Sequence, residues 1–444
     1  MGKNQPSGAD GAGWEDLEAS AGDVLAGNRS GSITKPSPDL YPHQWNWDSC
    51  FIAIGLSRYD PGRAQEELLS LTRGQWRNGM VPQIVFTPGV SGYFPGPDVW
   101  QSERSAEAPS EVQTSGITQP PVLATAALLA YERDPDRERA TLFLTEVLPR
   151  ILAFHRFLYR ERDIDGAGLV VVVHPWESGL DNSPPYLDAG SRVRLTYKPR
   201  YQRLDTQHVS AANRPTDKDY DLFVWLLEQM REVGYEWSGY LPTATLLVED
   251  VLFNAILCRA NADLCELCRY AGVSSNEANE WLASTSSAMD SKLWREDAGL
   301  YFSYDRVADR PLAEPTVASL TPLYGPTIEP ARLDRLVSKL LDPTLFWPGP
   351  GYACPSTSLS SPRFNPANYW LGPVWINTNW LLIRGLERLG RLEPAKRLRS
   401  DALNLLKTGG FREYFNPHDG TGYGTNRFSW SAALAIDLLQ DPAT

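Results

Sequence analysis

The chain has 444 residues, 42% hydrophobic and 22% charged, which is enough apolar material for a large core and excludes a chain disordered throughout. Length does not force a division, because closed barrels run past ~250 residues as one unit. A net charge of −12 and a pI near 5.1 argue against a nucleic-acid backbone or an anionic membrane as the main partner, while leaving room for a small anion held by one or two local Arg residues.

Residues 1–32 are polar, without an apolar signal core, and no later stretch reaches the ~18 apolar residues of a membrane span; this predicts a soluble, cytoplasmic protein. After a loose start, an amphipathic segment runs from Trp14 to Ala26, so residues 1–30 read as an N-terminal arm and first helix. Helical periodicity then predicts segments at Pro61–Trp76, Pro121–Tyr131, Arg137–Tyr159, Asp219–Val233, Ala244–Ala271, Ser274–Trp294, Pro330–Leu341, Trp375–Leu389, Pro394–Leu406 and Phe428–Leu439. Ser274 and Glu277 have the spacing of a capping box. Strand-like alternation is confined mainly to Leu169–His174 and Arg192–Tyr197. About ten helical segments in rough pairs, with few strands, predict an all-α helical toroid, and no strict internal repeat points to a regular solenoid. Two long stretches, about 86–113 and 184–215, are rich in Gly, Pro, Ser, Arg and Tyr; the first, with Tyr93, Phe94 and Trp100, reads as a lid. Cys258, Cys265 and Cys268 share a helical face and read, with Cys50 and Cys354, as reduced core residues.

The chemistry concentrates in loops. His174-Pro175-Trp176-Glu177-Ser178-Gly179-Leu180-Asp181-Asn182 and Phe411-Arg412-Glu413-Tyr414-Phe415-Asn416-Pro417 set carboxylates among aromatics, Gly and Pro rather than among basic partners. Cleaving a glycosidic bond takes one carboxylic acid to protonate the leaving oxygen and a second carboxylate to activate water or attack the sugar; an apolar wall beside an acid raises its pKa. Tyr41-Pro42-His43-Gln44-Trp45-Asn46-Trp47-Asp48 packs three aromatics and an acid together: either a polar ligand meets them, or Asp48 caps an apolar helix that follows. Trp76, Gln83 and Gln119 put amides near aromatic or Pro-rich chain, suited to reading a polyol or to bracing loops. Arg214 and Tyr220 flank a helix start; a guanidinium matches a carboxylate, although the spacing alone favours a solvated Arg214 with Asp217 or Asp219 as a cap. Tyr369, Trp370 and Trp375 repeat the aromatic and amide pattern, and Trp430 begins the last helical segment. The five His residues lack metal-like spacing, and no nucleophile elbow, phosphate loop or dinucleotide fingerprint occurs.

Taken together, Tyr41 to Phe51, Gly79-Met80-Val81-Pro82-Gln83, His174 to Asn182, Tyr369 to Trp375 and Phe411 to Gly424 resemble the bacterial mannosylglycerate and glucosylglycerate hydrolases of glycoside hydrolase family 63. The resemblance runs from about residue 30 to the C-terminus. It implies a single (α/α)6-barrel catalytic domain over 31–444, inversion at the anomeric carbon, a glycosylated glycerate as the small-molecule substrate, and no metal or cofactor. It is compatible with a homo-oligomer. By resemblance Asp181 is the general acid and Glu413 the base, with Glu177 a competing acid that could instead bind sugar or brace its loop. Asp48 holds sugar hydroxyls within walls made by Trp45, Trp47, Trp176, Trp370, Trp375 and Trp430. Tyr369, Gln119, Arg214 and Tyr220 form the glyceryl side, Arg214 pairing with the carboxylate, and Tyr93 or Phe94 closes over it. Two alternatives stay beside this one. Asn46-Trp47-Asp48-Ser49 is similar to motifs of other helical-barrel glycosidases of the trehalase and processing α-glucosidase type, and a catalytically inactive sugar-binding protein would need the same walls.

Overall fold

Six helical elements close on one another in a ring, and six more pack around its outside. The computed structural model describes residues 9–440. Its longer helices are α1 (Ala9–Asn28), α2 (Asn46–Leu56), α3 (Pro61–Thr72), α4 (Leu123–Glu132), α5 (Arg137–Phe157), α6 (Asp217–Glu232), α7 (Val251–Ala271), α8 (Asn276–Ala288), α9 (Pro330–Leu340), α10 (Ile376–Arg388), α11 (Leu392–Gly409) and α12 (Ser429–Leu439). The inner ring runs α2, α4, α7, a 3-10 helix over Val317–Tyr324, α10, α12 and back to α2; α1, α3, α5, α8, α9 and α11 form the outer layer. This is an (α/α)6 barrel, as expected.

Sequence accounts for which helices go inside. In α2 every residue is buried, as is every residue of Val317–Tyr324, so neither has a solvent face to generate a 3.6-residue contrast. By contrast, α9 and α11 alternate apolar and charged residues and bury only one stripe. At the end of the ring where α12 finishes, buried Asp437 ties four elements together. Its Oδ1 accepts from Arg58 Nε (2.7 Å) and Arg133 Nη2 (2.9 Å), its Oδ2 from Trp380 Nε1 (2.7 Å) and Arg384 Nη2 (2.5 Å). Burial alone would raise this carboxyl, but the three guanidiniums outweigh it and hold the group far below its ordinary range.

Several boundaries differ from expectation for local reasons. The Ala244–Ala271 segment becomes helical only at Val251, where Asp250 caps α7 by accepting from Phe253 N (2.8 Å), while Val248–Glu249 pairs as a strand with Val171–Val172. The Ser274–Glu277 capping box does not form: Ser275 takes the cap position without a side-chain bond, and Glu277 pairs with Arg156. A capping box forms instead between Thr216 and Asp219 at the start of α6. Arg192–Tyr197 is not a strand. The loose start lies partly outside the described residues; from Ala9 the chain is helical and α1 packs along α12. All five Cys are unpaired, four of them buried and Cys265 half-buried. Among the described residues, no helix is long and apolar enough to cross a membrane, and no three His, Cys, Asp or Glu side chains group as a metal site.

Candidate active site

The inner helices α2, α10 and α12 begin at the rim of one cavity of about 620 Å³, so their first turns and the loops entering them supply its walls. Pairing of Gln44–Trp45 with Ile84–Val85 sets Trp45 at the head of α2 and brings Gln83 beside it. Asp48, two residues into α2, lines the cavity and does not cap the helix, whose cap residue Trp45 makes no side-chain bond. Trp375 heads α10, and Phe428 and Trp430 head α12.

The aromatic walls hold one another in fixed orientations. Trp370 and Trp375 stack with ring centroids 3.8 Å apart and 6° between planes, Trp430 meets Trp375 and Trp47 edge-on, and Tyr93 of the 86–113 segment meets Trp45 edge-on at 5.0 Å. Such flat faces suit the C–H surface of a pyranose, and edge-to-face contacts stiffen them. Polar groups without partners lie among them: Gln83 Oε1, Trp370 Nε1 and Trp430 Nε1 are buried and make no hydrogen bond. Unpaired buried groups are costly, and sugar hydroxyls are of the chemistry that would satisfy them. Gln119 Oε1 accepts from the backbone N–H of Trp47 at 3.3 Å.

Asp181 sits on the loop after a short helical turn, Pro175–Ser178. His174 caps that turn, its Nδ1 accepting from Trp176 N (3.1 Å) and its Nε2 donating to Phe223 O (2.9 Å), while burial pushes the ring's pKa down to about 3 and keeps it neutral. Gly179 lets the loop turn at φ +72°; a Cβ there would collide with the Trp47 ring. Asp181 is half-buried and faces the cavity. Burial pushes its carboxyl up to about 7, against the pull of Arg214 and backbone N–H and with a small push from Glu413.

Glu413 lines the same cavity and immediately precedes the Tyr414–Phe415 strand, which pairs with Gly422–Tyr423. Tyr41 O–H donates to Glu413 Oε1 (2.8 Å), Thr425 N–H donates to Oε2 (3.2 Å), and Arg214 Nη1 approaches Oε1 at 3.5 Å. Burial raises this carboxyl too, but Arg214, Tyr41 and Thr425 each favour its charged form. Asp48 is pushed well above its ordinary range by burial and by Glu413. The site therefore holds several carboxyls in unlike surroundings, the condition under which acid and base roles separate.

Arg214 is 5% exposed, so the spacing-based reading of it as a solvated charge is corrected. Its guanidinium lies 4.2 Å from the centroid of Tyr369, a residue held at φ +40°, and its Nη1 donates to Tyr41 Oη at 3.0 Å. Its loop is fastened to both acid-bearing segments. Asn368 Nδ2 donates to Ala212 O (2.9 Å), Asn182 Nδ2 donates to Asn368 Oδ1 (2.9 Å), and Tyr414 O–H donates to Asn213 O (2.7 Å). Asn182 follows Asp181, and Tyr414 follows Glu413.

The cavity thus brings together Tyr41, Trp45, Trp47, Asp48, Gln83, Tyr93, Gln119, Trp176, Asp181, Arg214, Tyr220, Tyr369, Trp370, Trp375, Glu413 and Trp430. Two candidates lie off its walls. Trp76 is buried behind it, donating to Thr114 Oγ1 (2.9 Å) and packing edge-on against Tyr235. Glu177 forms a buried two-pronged pair with Arg162 (2.9 and 3.1 Å) and accepts from Thr118 N and Val173 N; it braces the acid loop and the neighbouring Gln119 loop. Phe94, Gly179 and Phe428 also line the cavity. In the chain Phe94 is marked by its place beside Tyr93 on the lid, whereas only the general aromatic pattern marks Phe428.

A family model described as the mannosylglycerate hydrolase MGH1-like glycoside hydrolase domain matches residues 41–431. A mannosylglycerate hydrolase from Thermus thermophilus is 44% identical over 415 residues, spanning 93% of this chain and 98% of that protein. A glucosylglycerate hydrolase from Mycolicibacterium hassiacum is 37% identical over 445 residues, 95% of this chain and 97% of that protein. A crystal structure of a family 63 mannosylglycerate hydrolase from T. thermophilus, in complex with Tris and D-glycerate, superposes with a TM-score of 0.90 at 44% identity, covering 95% of this chain and 99% of that one.

Proposed function

The chain belongs to the mannosylglycerate hydrolase MGH1-like glycoside hydrolase family, and from that membership we propose that it hydrolyses the α-glycosidic bond of glucosylglycerate or mannosylglycerate to the free sugar and glycerate, with residues 31–444 acting as one catalytic domain. One observation carries the reading: a carboxyl with its pKa near 7, Asp181, shares a cavity with a carboxylate bonded by Tyr41 and Arg214, Glu413. In this proposal Asp181 gives its proton to the glycosidic oxygen as the C1–O bond breaks. Glu413 takes a proton from water, whose oxygen attacks C1 from the opposite face, so the sugar leaves with inverted configuration and no covalent sugar–enzyme intermediate. The Trp walls and Asp48 hold the sugar; Arg214, Tyr220, Tyr369 and Gln119 hold the glycerate, and Arg214 selects the carboxylate. Tyr93 and Phe94 roof that side.

Proton NMR of the first-formed product tests the stereochemistry: the β-anomer is expected, and accumulation of the α-anomer overturns the assignment. Asp181→Ala and Glu413→Ala are expected to lose turnover by more than ~10³-fold, and retention of activity in either removes that residue from its role.

A further inference from the structure

Arg214 faces two carboxylates, and only one of them has a place in the chemistry just proposed. Its Nε donates to Asp205 Oδ2 at 3.2 Å, while its Nη1 reaches Tyr41 at 3.0 Å and Glu413 at 3.5 Å. Among the described residues, Nη2 has no hydrogen-bond partner. Asp205 stands on the 184–215 segment, at the edge of a second recess of about 310 Å³ that shares Tyr41, Tyr93, Phe94, Arg214 and Tyr220 with the main cavity. Its own charge is met by Arg203, which bonds both oxygens, Nε to Oδ1 at 3.0 Å and Nη2 to Oδ2 at 2.7 Å. Arg203 is fixed in turn by the Tyr220 ring, 3.9 Å from its guanidinium carbon, and by Nη1 donating to Pro215 O at 2.8 Å. The side chains of Arg203, Asp205 and Arg214 are 9%, 10% and 5% exposed, so the chain of charges is built in.

A guanidinium beside a lone buried carboxylate settles into a two-pronged pair with it. Without Asp205, the carboxylate left to Arg214 is the base, Glu413. Such a pair would occupy the lone pairs needed to accept a proton from water and would turn the open N–H edge away from the substrate. A bare Asp205 would in turn repel an anionic aglycone, and Arg203 cancels that repulsion.

We propose that Asp205, neutralised by Arg203, is a positioning residue that keeps the single long contact of Arg214 with Glu413 (3.5 Å) from closing into a two-pronged pair and leaves its Nη2 edge open to the substrate's carboxylate. This rests on the reading that the substrate is a glycosylglycerate, and it assigns specificity to residues outside the main cavity wall.

The test is a double-mutant cycle of Asp205→Asn and Arg214→Ala on the full-length enzyme, with glycosylglycerate and its uncharged glycosylglycerol analogue as substrates. In Asp205→Asn the KM for glycosylglycerate is expected to rise about tenfold, the size of one misaimed charge-assisted bond, with little change for glycosylglycerol. The acid limb of kcat/KM is expected to move about one pH unit lower, mainly because Arg214 now sits closer to Glu413 and favours its charged form, and in smaller part because the Asp205 charge that raises Glu413 is gone. In the Arg214→Ala background, Asp205→Asn is expected to leave both KM values unchanged, and the acid limb to move only by the smaller part that comes from losing the Asp205 charge itself, which raises Glu413. A merely structural role would raise both KM values together, and additive KM effects in the cycle, or an acid-limb shift that persists in full without Arg214, would equally overturn the inference. Thermal unfolding of Asp205→Asn identifies a folding loss, for which Arg203→Lys, with its single-point charge in place of the fork, gives the same substrate split. Wild-type enzyme inactive on both glycerate conjugates would sink the substrate reading instead, a result separate from all of these.

Discussion

Replacing Asp181 with Asn should stabilise the enzyme while abolishing its turnover, and the size of the gain should depend on pH. The folded carboxyl titrates near 7 against an ordinary 3.8, which corresponds to about 4 kcal/mol of penalty on its charged form. Because the folded state keeps this proton to higher pH than the unfolded chain does, stability falls as pH rises from about 4 to 7, and the full penalty is present above that window. Asn is close in shape and has no proton to lose at this site. At 444 residues, an unfolding entropy of ~2.1 cal/mol/K per residue gives about 0.9 kcal/mol per degree, so the fully charged carboxyl is worth about 4–5 °C in Tm. Between pH 5 and pH 8 the penalty grows by about 2.6 kcal/mol, and the Tm gap between variant and wild type should widen by about 3 °C. Calorimetric scans of both proteins in matched buffers at pH 5, 6, 7 and 8 measure it. Using the change in the gap cancels any pH-independent effect of the amide. A gap that stays flat, or widens toward acid, refutes a carboxyl held protonated by burial and with it the basis for Asp181 as the acid.

The same carboxyl should set the alkaline limb of activity: kcat/KM for glycosylglycerate is expected to fall about tenfold per pH unit above about 7 as Asp181 loses its proton, and a limb unchanged in position past pH 9 would count against it. Gly424→Ala drives a Cβ into Glu413 Oε2 at φ +69° and, by displacing the base, should lower kcat by at least ~10²-fold. Gly31→Ala, at φ +62° with open space around it, carries a comparable backbone cost of about 1–2 kcal/mol and should leave kcat intact; equal losses in the two would show that the base's neighbour is not special. Glu177→Ala strands the buried Arg162 and should destabilise by about 3–5 kcal/mol, whereas Glu177→Gln should keep turnover within about tenfold of wild type, because Glu177 braces the loop and does not face the substrate. Loss of turnover in Glu177→Gln with unchanged Tm would return it to contention as the acid.

Amphipathic outer helices such as α5, α9 and α11 were legible because one charged face contrasts with one buried stripe. The inner 3-10 helix Val317–Tyr324 was not, since every residue is buried and Pro322 interrupts the pattern; α2 could be glimpsed only as an apolar helix following Asp48. Most of the cavity wall was readable from aromatic and amide loops together with the family resemblance. Trp76 and Trp47 look alike in the chain, and only packing sends one behind the wall and the other into it. Glu177 and Asp181 are likewise both acids in one loop. What separates them is Arg162, fifteen positions upstream of Glu177, whose approach depends on the fold and not on any local spacing. Asp205 carries no mark in the chain for a similar reason: it is one charge among several on a long loop, and its meaning comes from Arg203 and Arg214 closing on it.

The bonds that fasten the 212–214 loop to Asn368 and Tyr414 end on backbone oxygens of Ala212 and Asn213. Ala212 is exposed and Asn213 half-exposed, so the loop's location is written in its main chain and its exterior is left blank. Side-chain variation at these two positions leaves in place the main-chain bonds that tie the Arg214 loop to both carboxyl-bearing segments. An engineer who wants an attachment point or a new surface beside Arg214 has a pair of positions at which to begin, separate from the machinery that breaks the bond.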